Sequence, residues 1–238
     1  MPCTIGVVEM PGFKKQPGNC TFENEMWMEH VKNELQHIIL GNEPPGSKSK
    51  LKKAQAFLRR NAEAGFYDQE QQYLKSEEAA QLIAFAQTEG LIYQPEIDED
   101  FFISAGAEQR VYRYDDYYVL KTNDSIFYKY WLDYFNSLLL HNYFFPATCY
   151  EFVGLKIINN VLHAVVKQRF VYTTEATDLA AVKQFMAYNG FHNTRNNDYI
   201  HPQLGIIFED LHDENVLCNN GILFFIDTVF YLTKTFYE

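Results

Sequence analysis

Three side chains near the end of the chain have the types and spacing for metal and phosphate chemistry. They are Asp210, Asn215 and Asp227, in the stretch DLHDENVLCNNGILFFIDTVF at 210–230. Four residues separate Asp210 from Asn215, and Asp227 follows Asn215 by twelve positions. Between Asn215 and Asp227 lie VLC, a turn signal at NNG, and ILFFI. A hairpin there brings Asn215, just before its first strand, close to Asp227, just after its second. An amide oxygen and a carboxylate are hard ligands of the kind Mg²⁺ takes alongside substrate phosphates. Asp210, slightly upstream, is then placed to orient or deprotonate an attacking hydroxyl. Glu209, Asp213 and Glu214 read as solvated neighbours, while His212 either faces phosphates or fills the loop. The competing reading is an acidic β-turn that does no more than solvate the surface.

The elements that must position these residues change character near residue 95. Before it the chain reads as helices. Trp27, Val31, Leu35 and Ile38 recur at helical spacing in 22–40, which stops at GNEPPG. A basic helix follows with Lys48, Lys50, Lys52, Lys53, Arg59 and Arg60, read as a solvated face rather than a docking face. A third helix starts at Ser76, an N-cap with Glu77 and Glu78 in its first turn, and ends at Gly90. Beyond residue 95 come the strands DFFISAG, EQRVYRY and DDYYVLK, the last two joined at Asp115–Asp116. The aromatic segment SIFYKYWLDYFNSLLLHNYFF reads as a helix capped by Ser125. Strands YEFVGLKII and VLHAVVKQRF follow, joined by Asn159–Asn160, which tolerate positive φ. An amphipathic helix with Leu179, Val182 and Met186 on one face then ends at Asn189–Gly190.

Composition removes several function classes. The chain has 238 residues and a formal net charge of −11, which argues against non-specific nucleic-acid binding. Cys3, Cys20, Cys149 and Cys218 are scattered, without the pairing of a zinc site or a disulfide scaffold. Residues 1–19 lack the pattern of a signal peptide, and no apolar run reaches the roughly 20 residues of a membrane span. A cytoplasmic protein without a membrane partner is expected. The segment GNEPPGSKS at 41–49 carries glycines and a Lys–Ser pair, but Ser47 intrudes between Gly46 and Lys48 and two prolines stiffen it. It reads as a linker, not as a phosphate-binding loop.

DLHDENVL with FFIDTVF resembles the catalytic and metal loops of the protein-kinase-like superfamily, its DLHxxN form closer to aminoglycoside- and choline-kinase-type phosphotransferases. GAEQRVYRYDDYYVLK, LLLHNYFFPATCYEFVGL, VVKQRFV and LGIIFEDLHDENVL are similar to the kinase-like domain of bacterial mobile-element polyvalent proteins. The resemblance covers about residues 97–238. It implies an α+β, two-lobe kinase-like fold with a five-stranded N-lobe sheet and a truncated C-lobe. The N-lobe would span about 96–170 and the minimal C-lobe about 171–238, with 1–95 as a helical N-terminal extension. It also implies ATP and Mg²⁺ as ligands. Asp210 becomes the catalytic residue, and Asn215 and Asp227 hold the metal. Lys121 matches the third-strand lysine that binds the α/β-phosphates. Gly106 is what remains of the glycine-rich loop, Val119 packs on adenine, backbone groups of Gln168 and Phe170 read its edge, and Leu217 forms the pocket floor.

The pattern departs from the kinases in several places. Phe208 stands where protein kinases carry the His of HRD, and Thr228–Val229 follow Asp227 in place of Phe–Gly. The expected helix offers only Asp133 to pair with Lys121, and Glu108 in the loop is the alternative. Eleven residues follow Asp227, which leaves no room here for an activation segment or a peptide-docking platform. Three readings therefore stay open: an ATP–Mg²⁺-binding kinase-like protein that transfers the γ-phosphoryl group to a hydroxyl acceptor, protein or small molecule; a pseudokinase or interaction module that keeps the fold without catalysis; and a small-molecule phosphotransferase.

Overall fold

The computed structural model describes residue 10 and residues 21–41, 49–63, 75–106 and 109–238. Glu108, Cys3, Cys20 and most of the 41–49 segment lie outside them. In chain order the elements are α1 (Thr21–Leu40), α2 (Lys50–Glu63), α3 (Lys75–Thr88), β1 (Phe102–Ala105), β2 (Gln109–Arg113), β3 (Tyr118–Asn123) and α4 (Trp131–Phe144). There follow β4 (Tyr150–Ile158), β5 (Val161–Arg169), α5 (Leu179–Tyr188), β6 (His192–Arg195), β7 (Asp198–His201) and β8 (Ile206–Glu209). The last are β9 (Val216–Asn219), β10 (Ile222–Phe225), β11 (Val229–Leu232) and α6 (Lys234–Tyr237). Among the described residues no helix is long and apolar enough to cross a membrane. The chain divides into two compact units, one of Asn42–Asn136 and Tyr150–Phe170, the other of Met1–Gly41, Ser137–Cys149 and Val171–Glu238.

The first unit is built on an antiparallel sheet of five strands in the order β1-β2-β3-β5-β4. Three strands, a helix and two strands are what the alternating apolar runs led us to expect. Local turn chemistry sets the registers. Asp115 Oδ1 accepts the N–H groups of Tyr117 and Tyr118 between β2 and β3, and Asn159 and Asn160 both adopt positive φ between β4 and β5. Directly opposed residues share a face, so the pairings Lys121↔Val166, Val119↔Gln168 and Gln168↔Tyr150 put these side chains on one face. The opposite face carries Tyr112, Leu120 and Val165, packed with Tyr93 and Ile97. The segment after α3 extends the sheet beside β4: Tyr93 N–H donates to Leu155 O, and Leu155 N–H to Leu91 O, both at 2.8 Å. Gly154 permits this approach, because a Cβ there would sit 2.6 Å from Leu91 O.

Helices α2 and α3 pack together through Phe57 on Phe85, stacked at 4.0 Å. The three lysines of α2 are tied down: Lys50 donates to Val153 O at 3.0 Å, Lys52 to Gln55 at 2.8 Å, and Lys53 pairs with Glu89 at 2.5 Å. The helix from the aromatic segment starts later than expected. Ser125 does not cap it. That residue is buried at φ 56°, its N–H donated to Asn123 Oδ1 at 2.6 Å, and α4 begins only at Trp131. The cap comes instead from α3, where the carboxylate of Glu78 accepts Trp131 N–H at 2.6 Å and Leu132 N–H at 3.1 Å. Ser76, taken as the cap of α3, stands inside that helix's first turn.

In the second unit a sheet in the order β11-β8-β7-β6 and a hairpin of β9 and β10 share a core with α1, α5 and the second half of α4. Phe208 is its centre, fully buried and stacked on Phe230 at 4.2 Å, with Phe145 and Phe225 around it. A side chain of this size contributes about 1.5–3 kcal/mol on full burial. Helix α1 brings Val31, Leu35 and Ile39 into this core. Lys32 and Gln36 on the same helix donate to the carbonyls of Thr235 and Phe236 in α6. On α5, Val182 and Met186 are buried as expected, but Leu179 of the same predicted face is exposed.

Candidate phosphate and metal site

The residues that opened the sequence reading come together through a two-residue turn. Asn220 and Gly221 have φ of 50° and 78°, as a hairpin turn matched to the strand twist requires. The register runs from Ile222↔Asn219 to Phe225↔Val216. The next rung is closed by Ile226 N–H on Asn215 O at 2.9 Å. Asp227 therefore comes one residue after the rung that Asn215 closes. The tip is held from outside the hairpin. Glu175 Oε1 accepts Gly221 N–H at 2.7 Å and the Cys218 thiol at 3.0 Å, and these contacts draw the Glu175 carboxyl below its usual range.

Asn215 links the hairpin to Asp210. Its Nδ2 donates to both the backbone carbonyl and Oδ2 of Asp210, each at 2.9 Å. An amide nitrogen only donates, so this orientation turns Oδ1 of Asn215 away from Asp210. His212 Nδ1 accepts the N–H of Glu214 at 3.3 Å, and its Nε2 lies 3.1 Å from Asn215 Nδ2 and 3.3 Å from Asp210 Oδ1. His212 thus belongs to the inner bracing of the loop. Asp210 itself is held at φ 68°, a conformation non-glycine residues adopt at some cost. Its N–H donates to Asp198 Oδ1 at 3.2 Å, and Leu211 N–H to Asn197 O at 3.2 Å. Of the neighbours expected to be solvated, Asp213 and Glu214 are exposed. Glu209 is not: it is half-buried, and burial, then Asp198 and Asp210, push its carboxyl above the usual range.

The Asn215 amide oxygen and the Asp227 carboxylate are hard oxygen donors, the type Mg²⁺ takes alongside water and substrate phosphate. Among the described residues no group of three or more His, Cys, Asp or Glu side chains is placed to hold a metal. Leu217, also in this unit, is half-buried in β9 opposite Phe224.

The remaining candidates belong to the five-stranded sheet. Lys121 is 3% exposed, with Nζ over the Tyr150 ring at 5.5 Å from its centroid. Val119 and Gln168 are buried beside it on the same face. Phe170 is half-buried, and its N–H is already donated to Tyr117 O at 2.7 Å, so that group is not open to an adenine edge. Gly106 sits where an added side chain would meet open space. Asp133 has Lys129 and Lys75 as its cationic neighbours, and burial raises its carboxyl above the usual range.

Sequence reasoning missed four residues that frame the site. Asp198 and Asn197 prop the Asp210 loop, and the Asn196–Asn197 turn signal was there to be read. His141 and Thr148 reach the Asp227 segment, His141 Nδ1 lying 2.7 Å from Thr228 Oγ1 and Thr148 Oγ1 donating to Phe225 O at 2.6 Å. Nothing local announces them.

Comparison with known proteins supplies the relationship that this geometry leads to. No curated protein and no solved structure matches the chain. A family model does, described as a serine/threonine/tyrosine kinase found in polyvalent proteins, over residues 75–234. With its sheet order, its hairpin-borne Asn and Asp, and a match over most of its length, the chain belongs to this kinase family.

Proposed function

We propose that the protein binds ATP with Mg²⁺ and transfers the γ-phosphoryl group to a hydroxyl acceptor. The observation that carries this reading is the closed rung at the hairpin's open end, where Ile226, the residue before Asp227, bonds to Asn215 while Asn215 is fastened to Asp210. In this assignment the five-stranded unit is the N-lobe and the other belongs to the C-lobe. Asp210 orients the acceptor hydroxyl and takes its proton. The acceptor oxygen bonds to the γ-phosphorus as the bond to the β–γ bridging oxygen breaks, and ADP leaves. Asn215 Oδ1 and Asp227 would hold Mg²⁺, which when bound would neutralise phosphate charge. Lys121 takes the α/β-phosphates and Val119 the adenine.

A thermal-shift titration with ATP, with and without Mg²⁺, tests the reading. Ligand at a hundredfold excess over Kd adds about 2.7 kcal/mol, several degrees for a chain of this size. Asp227→Asn should remove the Mg²⁺-dependent part of the shift. An unchanged Mg²⁺ response in that variant sinks the metal assignment. A second reading, a nucleotide-binding pseudokinase, is favoured by a glycine-rich loop reduced to Gly106. It predicts the same thermal shift without labelled-phosphate transfer to any hydroxyl substrate or to the protein itself.

A further inference from the structure

The segment that carries Asp227 is clamped from one side by a buried polar cluster. Thr148 Oγ1 donates to Phe225 O at 2.6 Å, two residues before Asp227. His141 Nδ1 lies 2.7 Å from Thr228 Oγ1, the residue after it. Ser137 Oγ accepts Phe230 N–H at 3.0 Å. Ser137 and His141 are four residues apart on α4 and so lie on one face. The cluster is closed on itself, because His141 Nε2 is 2.8 Å from Thr148 O. A carbonyl oxygen can only accept, so Nε2 carries a proton. In the neutral ring Nδ1 is then the acceptor, and the Thr228 hydroxyl donates to it. His141, Thr148 and Thr228 are 0%, 1% and 6% exposed. Buried polar groups in a satisfied network fix one geometry, since any displacement leaves a group without its partner.

We infer that His141, Thr148 and Thr228 are positioning residues for the Asp227 carboxylate, setting its orientation toward the metal, an inference that rests on Asp227 being a metal ligand. The two side chains hold the chain on both sides of Asp227, and the Asn215 carbonyl holds Ile226 between them. Hydroxyl and imidazole therefore act on metal affinity through backbone placement, as partners of metal ligands do elsewhere.

The test uses the full chain and two readouts. Thr228→Val keeps the side-chain shape and removes the hydroxyl, and Thr228→Ser restores it. At fixed ATP, the Mg²⁺ concentration giving half the thermal shift should rise about tenfold in Thr228→Val and return to within about twofold of wild type in Thr228→Ser. The ATP response in chelator should be the same in all three. In metal-free protein, amide exchange at 226–230 should speed up in Thr228→Val and not in Thr228→Ser. If Thr228→Val does not fold, Thr148→Val, which severs the contact to Phe225, is measured on the same two axes. A folded valine variant with wild-type Mg²⁺ requirement, or with unchanged exchange at 226–230, overturns the inference alone. A wild-type chain that shows no Mg²⁺-dependent shift overturns the reading of the site, and this inference with it.

Discussion

Glu78 should make the stability of the five-stranded unit depend on pH in the direction opposite to most carboxylates. Its side chain is 2% exposed and accepts the first two N–H groups of α4. Burial pushes its carboxyl from 4.5 to about 7, against the pull of the two backbone N–H groups and with Asp133 adding to the rise and Lys75 opposing it. A folded-state pKa above the unfolded one means that folding takes up a proton. The contribution is fully present below about 4.5 and is lost as pH rises through about 7. At 1.36 kcal/mol per pH unit, the swing is about 3 kcal/mol. Glu78→Gln keeps the shape and one acceptor without titrating. Urea unfolding of wild type and variant at several pH values between 4 and 8 isolates the effect, because the other acids cancel in the difference. The glutamine variant should gain on wild type by about 3 kcal/mol across that window. A difference between the two proteins that stays constant with pH would refute the argument.

Asp210→Asn should abolish phosphoryl transfer while leaving the Mg²⁺-dependent ATP shift in place, because the amide keeps an acceptor for Asn215 but cannot take a proton; retained transfer would count against Asp210 as the base. Gly154→Ala should destabilise by about 1–3 kcal/mol, since its Cβ would press on Leu91 O and Tyr93 N at 2.6 and 2.9 Å; a denaturant midpoint shows this. Phe208→Ala should cost about 3–5 kcal/mol, read as a fall in Tm, because it empties the centre of the aromatic cluster.

What could be read from the sequence was what local chemistry decides. Asn159–Asn160 and Asn220–Gly221 mark their turns because Asn and Gly accept positive φ, and both hairpins formed in register around them. The order of three strands, a helix and two strands follows from alternation between apolar and polar residues. The start of α4 was misplaced because its cap is donated by Glu78, 53 residues earlier, while the serine that looked like a cap sits in a left-handed turn. The sheet that sets β8 between β7 and β11 was missed as a whole. Its strands are four residues long, too short for a period to show. His141 and Thr228, 87 residues apart, have no sequence signal linking them.

The two-residue turn at Asn220–Gly221 makes the spacing between Asn215 and Asp227 a matter of counting. Each strand of the hairpin contributes four residues, and the site lies at the open end where the count closes. One residue added to a single strand would slip the pairing and turn alternate side chains to the other face. Two residues added to both strands would lengthen the hairpin and leave the closing rung between Asn215 and Ile226, with Asp227 next to it, as before. Length variation at this position should therefore come in matched pairs, so a relative with a longer interval can hold the same site, while one lengthened by a single residue needs a bulge to absorb it.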